Sequence, residues 1–141
     1  MLKNIPSILS PELLKILMEM GHGDELVLGD ANFPAASVAR RLIRADGLGG
    51  TDLLAAIMQL FPLDTFVAHP VALMAVVLGD DYTPELWPRY ERIIRSAHPS
   101  FSGFEMLERY EFYRRTEQAY AVVATGERGR YANIILKKGI L

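Results

Sequence analysis

The sequence predicts one α/β domain, a three-layer α/β/α structure with a mixed β-sheet and a C-terminal β-hairpin. Segments with helical apolar spacing alternate with short β-rich runs, and two further β-rich runs close the chain. The length of 141 residues fits one hydrophobic core, and no linker or internal repeat divides it. We therefore treat residues 1–141 as a single domain.

Composition excludes several function classes. The absence of cysteine excludes disulfides, thiolate zinc sites, iron–sulfur clusters and a cysteine nucleophile, and it favours a cytoplasmic location. The formal net charge is −2 with both signs interspersed, so we expect no nucleic-acid partner. The longest apolar run, residues 71–78, is too short to span a membrane, and the first residues do not resemble a signal peptide.

Apolar residues are abundant for so small a chain. They make up 50% of the sequence, and the mean hydropathy is +0.14. We expect part of this apolar surface to be buried between subunits.

The first predicted helix leads into the first predicted strand. Ser10-Pro11-Glu12 has the cap, proline and acid of a helix start, and Gly21 ends the helix with His22 directly after it. Residues 26–28 form a short apolar run typical of a buried strand, which opens into a polar loop at Asp30.

The middle of the chain predicts a second helix and two strands. Residues 36–43 are ambiguous between helix and strand, and the glycines of 47–50 indicate a turn. Thr51 or Asp52 is expected to cap a helix that ends at Pro62. The β-rich runs at 65–67 and 71–78 predict strands.

The last part predicts two helices, a strand and the hairpin. Thr83-Pro84-Glu85 repeats the helix-start pattern, and that helix extends to about Ala97. Residues 104–107 indicate a strand and 110–118 a helix. The final hairpin is expected to join Ala119–Thr125 to Tyr131–Leu136 through a loop too short for a crossover.

Candidate functional residues are densest between Gly21 and Pro34. Flanking glycines allow a ligand to approach His22 closely, and an imidazole exchanges protons near neutral pH. The alternative is that the glycines only end a helix and His22 is solvated. Asp30 follows the buried strand, where sites of α/β folds are expected. The spacing of these residues matches no metal-ligand pattern, so we expect no metal.

Other polar clusters carry less specific signals. The glycines at 47–50 lack the lysine of a P-loop and are interpreted as a turn. Asp80 and Asp81 are adjacent acids in a predicted turn, where we expect solvated side chains. His69 and His98 each precede a proline and are interpreted as structural.

Several collinear segments together resemble one family, the RbsD/FucU sugar mutarotases. The resemblance covers nearly the whole chain and rests on Met1–Lys3, Ser10–Leu14, Gly21–Glu25, Asp30–Pro34, Leu60–Asp64 and Tyr131–Gly139. Residues 108–113 are similar to the L-fucose branch, because Arg109 stands where the D-ribose branch tends to carry histidine. Ala132 departs from the fucose pattern, in which glycine also occurs, and a backbone contact would tolerate either residue.

The resemblance implies a site and an assembly. His22 would be the proton donor, Asp30 and Arg109 substrate ligands, and Tyr131, Ala132 and Asn133 a substrate-binding segment. It implies no cofactor, a monosaccharide substrate, and a homo-oligomeric ring, commonly a decamer, with sites near subunit boundaries. The expected activity is the interconversion of L-fucose anomers; D-ribose pyranase activity and non-catalytic sugar binding are the alternatives.

Overall fold

Five helices and six strands follow one another in the computed structural model, which describes residues 1–141. The helices are α1 (Pro11–Glu19), α2 (Ala35–Val38), α3 (Gly50–Met58), α4 (Leu86–Ala97) and α5 (Arg109–Gln118). The strands are β1 (Glu25–Gly29), β2 (Leu42–Ala45), β3 (Val71–Met74), β4 (Glu105–Leu107), β5 (Ala121–Thr125) and β6 (Ile134–Lys137). None of the helices is long and apolar enough to cross a membrane.

All six strands belong to one mixed sheet with the order β2-β5-β1-β6-β3-β4. Strand β6 is antiparallel to both of its neighbours, and the other pairs are parallel. The carboxyl ends of β1, β3 and β5 therefore meet the start of β6 at one side of the sheet. We call this side, with Asp30 and Asn133, the carboxyl edge, and the opposite side, with Asp24 and Lys138, the amino edge.

The predicted C-terminal hairpin is wrong. Strands β5 and β6 form as β-rich segments, but β1 lies between them, with Leu28 paired to Val123 on one side and to Ile134 on the other. A hairpin would leave one side of β1 without a partner, although Leu26, Val27 and Leu28 are all buried. Pairing on both sides satisfies the backbone of this apolar strand, which makes it a central strand of the sheet.

Helices cover both faces of the sheet, which confirms the three-layer architecture. Alternate residues of the strands point to opposite faces. Leu26 and Leu28 of β1 pack in a core with the apolar faces of α1, α3 and α4. Val27 contacts a second core, which includes Ala35 of α2 and Phe112 of α5.

Several predicted boundaries also require correction. Residues 65–67 form no strand, because the Asp64 carboxylate accepts the Phe66 backbone N–H at 2.9 Å and turns the chain. Strand β3 ends at Met74 rather than at residue 78. Thr51 and Asp52 do not cap α3; the helix begins at Gly50, whose N–H is bound by the distant Glu127 side chain at 3.0 Å.

Helices α1 and α4 form close to where their sequences predict them. Ser10 caps α1 by accepting a hydrogen bond from the Leu13 backbone N–H at 3.1 Å. Helix α4 reaches Ala97 as expected, although it begins at Leu86 and has no side-chain cap. Residues 36–43, ambiguous in sequence, divide into the end of α2 and the start of β2.

Candidate active site

A cavity of about 230 Å³ lies at the carboxyl edge and contains three of the predicted site residues. They are Asp30, Tyr131 and Asn133. The cavity is also lined by Asn32, Phe33, Met74, Tyr113 and Arg130. Polar groups that can bind hydroxyls and apolar groups that can hold a carbon skeleton therefore share one small space.

Asp30 is the buried carboxyl group of this cavity. Its side chain follows β1, and the residue is only 9% exposed. The Asn133 amide oxygen accepts the Asp30 backbone N–H at 2.8 Å, and Asp30 Oδ1 accepts the Asn32 N–H at 2.9 Å. Burial raises the pKa of Asp30 above its ordinary 3.8, although hydrogen bonds from neighbouring groups oppose the shift. A carboxyl group with a raised pKa is better matched to proton transfer near neutral pH.

The segment before β6 is held by helix α4. The Trp87 indole N–H donates to the Tyr131 carbonyl at 2.8 Å, and the Tyr90 hydroxyl donates to the Ala132 carbonyl at 2.9 Å. Tyr131 has a φ of 58°, a left-handed conformation that is uncommon for a residue other than glycine. Ala132 is buried and does not line the cavity, whereas Tyr131 and Asn133 on either side of it do.

Arg109 lies at the start of α5, outside the set of residues that line the cavity. It is one helical turn from Tyr113, which does line it. Arg109 donates to the Tyr110 hydroxyl at 2.7 Å, while its buried Nε has no hydrogen-bond partner. The guanidinium group thus keeps one donor without a partner.

His22 lies at the amino edge, in the loop between α1 and β1. Its Nε2 is 3.1 Å from Asp64 Oδ1, and its ring centroid is 5.3 Å from that of Phe66. The imidazole is 43% exposed, whereas the Asp64 side chain is only 5% exposed. Hydrogen bonds from the Phe66 N–H and from His22 lower the pKa of Asp64 against the opposing effect of burial. Asp64 is therefore an ionised partner that orients the ring.

One chain does not bring His22 and Asp30 together. They flank β1, which is five residues long and at about 3.3 Å per residue separates the two edges by roughly 15 Å. A single monosaccharide within one chain does not contact both residues. No three His, Asp or Glu side chains converge as metal ligands would.

Two carboxylates that contact candidate site residues were not identified from the sequence. Asp64 lies within the quoted segment Leu60–Asp64, but nothing local indicates that it faces His22, 42 residues away. Asp80 was expected to be solvated, whereas its Oδ2 accepts the Tyr131 hydroxyl at 2.7 Å. The neighbouring Asp81 is exposed, as expected of a turn residue.

Comparison with known proteins places this geometry in a family. The profile of the RbsD / FucU transport protein family matches residues 3–141. The chain belongs to the RbsD/FucU family. It is 51% identical to the L-fucose mutarotase of Actinobacillus pleuropneumoniae serotype 5b, over 99% of this chain and 97% of that protein.

Two further RbsD/FucU relatives are similar over nearly the full length. The human fucose mutarotase is 50% identical, over 99% of this chain and 94% of that protein. The crystal structure of the fucose mutarotase from Streptococcus pneumoniae in complex with L-fucose superposes with a TM-score of 0.95. It is 51% identical and 99% of each chain is covered. The predicted family and fold class are thereby confirmed.

Proposed function

We propose that this protein is an L-fucose mutarotase, an isomerase that interconverts the α and β anomers of L-fucose. The observation that carries the proposal is the full-length similarity, at 51% identity, to proteins that bear this name. The cavity adds chemical support. Phe33, Met74 and Tyr113 provide an apolar wall suited to the 6-methyl group of a deoxy sugar, which D-ribose lacks.

The reaction requires one proton donor and one proton acceptor. Ring opening adds a proton to the ring oxygen and removes one from the anomeric hydroxyl, which leaves a free aldehyde and a new hydroxyl. Rotation of the aldehyde exposes its other face, and reclosure reverses both proton transfers. Protons and electrons balance without a cofactor.

The polar side chains divide between these roles. His22, oriented by Asp64, donates the proton to the ring oxygen and recovers it on reclosure. Asp30 accepts the proton of the anomeric hydroxyl, directly or through water, because burial raises the pKa of its carboxyl group. Tyr131 and Asn133, which line the cavity, bind sugar hydroxyls. The other two expected ligands lie outside the cavity lining of one chain: Ala132 is buried behind it, and Arg109 is one helical turn from the lining residue Tyr113.

We further propose that the complete site forms between two protomers of a homo-oligomeric ring, a decamer in the assembly that the family resemblance implies. The separation of His22 from Asp30 supports this, because only a second protomer can bring an imidazole to the carboxyl-edge cavity. Large apolar side chains remain exposed and are available for burial in an interface; they include Leu2, Met18, Phe66 and Leu78. We place the protein in the cytoplasm, in keeping with its lack of cysteine.

Saturation-transfer NMR on equilibrated L-fucose tests the activity directly. The protein should transfer saturation between the α and β anomeric protons faster than buffer, and His22→Ala should abolish that transfer. A parallel measurement with D-ribose distinguishes the pyranase alternative, in which ribose exchange would be faster. Binding of L-fucose without exchange would instead identify a non-catalytic sugar-binding protein.

Analytical ultracentrifugation tests the assembly. A sedimentation coefficient corresponding to a ring of about ten 15.8 kDa chains is expected. A monomer that catalyses exchange would overturn the shared-site proposal and leave the activity itself intact.

A further inference from the structure

The hydroxyl group of Tyr131 is hydrogen-bonded to Asp80, in the loop that follows β3. It donates to Asp80 Oδ2 at 2.7 Å, and Arg130 Nη2 donates to the same oxygen at 2.6 Å. The Tyr82 ring stacks on the Tyr131 ring with centroids 6.0 Å apart, and the Arg130 guanidinium lies 4.6 Å from the Tyr82 centroid. We call Asp80, Tyr82 and Arg130 the Tyr131 clamp.

The carboxylate of the clamp is itself held in place. Its other oxygen, Asp80 Oδ1, accepts the Tyr82 backbone N–H at 3.1 Å. The hydrogen bond from Tyr131 is the main cause that lowers the pKa of Asp80, and Arg130 adds to the effect. Asp80 is therefore ionised near neutral pH and can only accept hydrogen bonds.

Tyr131 is thus fixed at both ends. Trp87 holds its carbonyl, and the clamp holds its hydroxyl. A left-handed φ of 58° is a strained conformation that persists when surrounding contacts determine it. The ring between these two points forms part of the cavity wall.

We propose that Asp80 is a positioning residue that sets the hydrogen-bonding polarity of Tyr131. The Tyr131 oxygen also accepts the Val77 backbone N–H in a long hydrogen bond of 3.4 Å. Because the phenolic proton is donated to Asp80, the remaining lone pair of this oxygen can only accept a further hydrogen bond. Tyr131 therefore accepts a hydrogen bond from a sugar hydroxyl. This role rests on the proposed function, since it concerns the same cavity, and it assigns a task to a turn outside the residues expected to bind substrate.

A purely structural role for the clamp makes a different prediction. If Asp80 only anchored its loop, its loss would lower stability and affect all site residues alike. If it sets the polarity of Tyr131, its effect on catalysis must pass through the Tyr131 hydroxyl. A double-mutant cycle separates the two cases.

The experiment measures kcat and KM for anomer exchange in Asp80→Asn, Tyr131→Phe and the double variant. Asp80→Asn should raise KM about 10-fold with a smaller change in kcat, as expected for loss of a charge-assisted hydrogen bond that orients a ligand. In the Tyr131→Phe background the same substitution should have no further effect. Asp81→Asn, an exposed residue of the same turn, is the matched control and should behave as wild type.

A second measurement does not depend on activity. In protein labelled with 13C at the tyrosine Cζ, the Tyr131 resonance, assigned from Tyr131→Phe, should shift in Asp80→Asn and not in Asp81→Asn. Asp80→Glu, which keeps the carboxylate, should have a KM and a Tyr131 Cζ resonance between those of Asp80→Asn and wild type. If Asp80→Asn does not fold, Asp80→Ser, which removes the carboxylate and keeps a small polar side chain, tests the same contact, with the same direction expected in KM and in the resonance.

Several results would overturn the proposal. These are an unchanged KM in Asp80→Asn, additive effects of the two substitutions, or a Tyr131 resonance that does not respond. Failure of the proposed function is recognised separately, because the wild-type protein would then show no exchange of L-fucose. The Cζ resonance would still decide whether Asp80 holds the Tyr131 hydroxyl.

Discussion

The two edges of the sheet carry carboxylates of opposite character. At the amino edge, donated hydrogen bonds lower the pKa of Asp64, which stays ionised beside His22. At the carboxyl edge, burial raises the pKa of Asp30 inside a small cavity. The same residue type is thus suited to orienting an imidazole at one edge and to exchanging a proton at the other.

In the function that we propose, this difference divides the roles in catalysis between the two edges of one chain. The amino edge presents a half-exposed imidazole, to which the proposed assembly would bring the cavity of a neighbouring protomer. The carboxyl edge holds the cavity and its polar ligands, and Trp87 and Tyr90 stabilise the backbone around them. Each edge is half of the site that we propose, and the predictions that follow test that division.

The largest expected effect on activity comes from substituting the central residue of each edge separately. His22→Ala and Asp30→Asn should each lower the anomer-exchange rate by about 10²- to 10⁴-fold, the usual contribution of a positioned acid or base. When the two inactive chains are co-expressed, they should mix at random in the oligomer. About a quarter of the sites should then combine an intact His22 from one chain with an intact Asp30 from the other. Exchange NMR on the mixed oligomer measures this, and a mixture without activity would contradict a shared site.

A smaller loss of activity is expected at the partner of the imidazole. Asp64→Asn should lower kcat by ~10-fold or more, because the charge-assisted hydrogen bond that orients His22 is lost. The exposed Asp52→Asn on α3 is the control and should leave kcat unchanged. Equal rates for Asp64→Asn and wild type would show that His22 needs no orienting partner.

The stability of the same variant should depend on pH. The folded-state pKa of Asp64 lies below its ordinary value of 3.8, so its carboxylate stabilises the fold above that pH. This contribution is lost as the pH falls through the folded-state value. Asp64→Asn should therefore have a lower Tm than wild type at pH 7, and the difference should narrow in acid. A Tm difference that widens in acid would contradict the lowered pKa of Asp64.

Asp30→Asn should show the opposite sign. The folded-state pKa of Asp30 is raised, so ionisation of this group costs stability as the pH rises above its ordinary pKa of 3.8. The amide can still accept the Asn32 N–H, and the variant should have a higher Tm than wild type at pH 7 while its activity is lost. The gain should disappear below pH 3.8, where the wild-type group is protonated in both states. Thermal unfolding at both pH values measures it, and a lower Tm at pH 7 would contradict the prediction.

The smallest effect is expected far from both edges. Ser10→Ala removes the α1 cap and should cost about 1 kcal/mol of stability. Exchange of L-fucose at a temperature where the protein is folded should be unchanged. A fall in the exchange rate equal to that of Asp64→Asn would show that the amino edge responds to general loosening of α1.

Features encoded by neighbouring residues were predictable from the sequence alone. The start of α1 at Ser10-Pro11 follows from local hydrogen bonding and a fixed proline φ, and the apolar run of β1 predicts its burial. The motifs around His22, Asp30 and Tyr131–Asn133 indicated the family and the residues to examine.

Long-range contacts lay beyond sequence reasoning. The insertion of β1 between β5 and β6, the cap that Glu127 supplies to α3, and the pairs Asp64–His22 and Asp80–Tyr131 all join residues far apart in the chain. Their formation depends on the packing of the whole sheet, because only the sheet order determines which loops meet.

The sequence by itself determined most of the helices and strands and the candidate residues His22, Asp30 and Tyr131–Asn133, since these properties depend on local backbone preferences and apolar periodicity. Only the tertiary structure decided that His22 and Asp30 lie at opposite edges. The physical reason is the extended backbone of β1, whose rise carries the chain from one edge to the other and so separates two residues that are close in sequence.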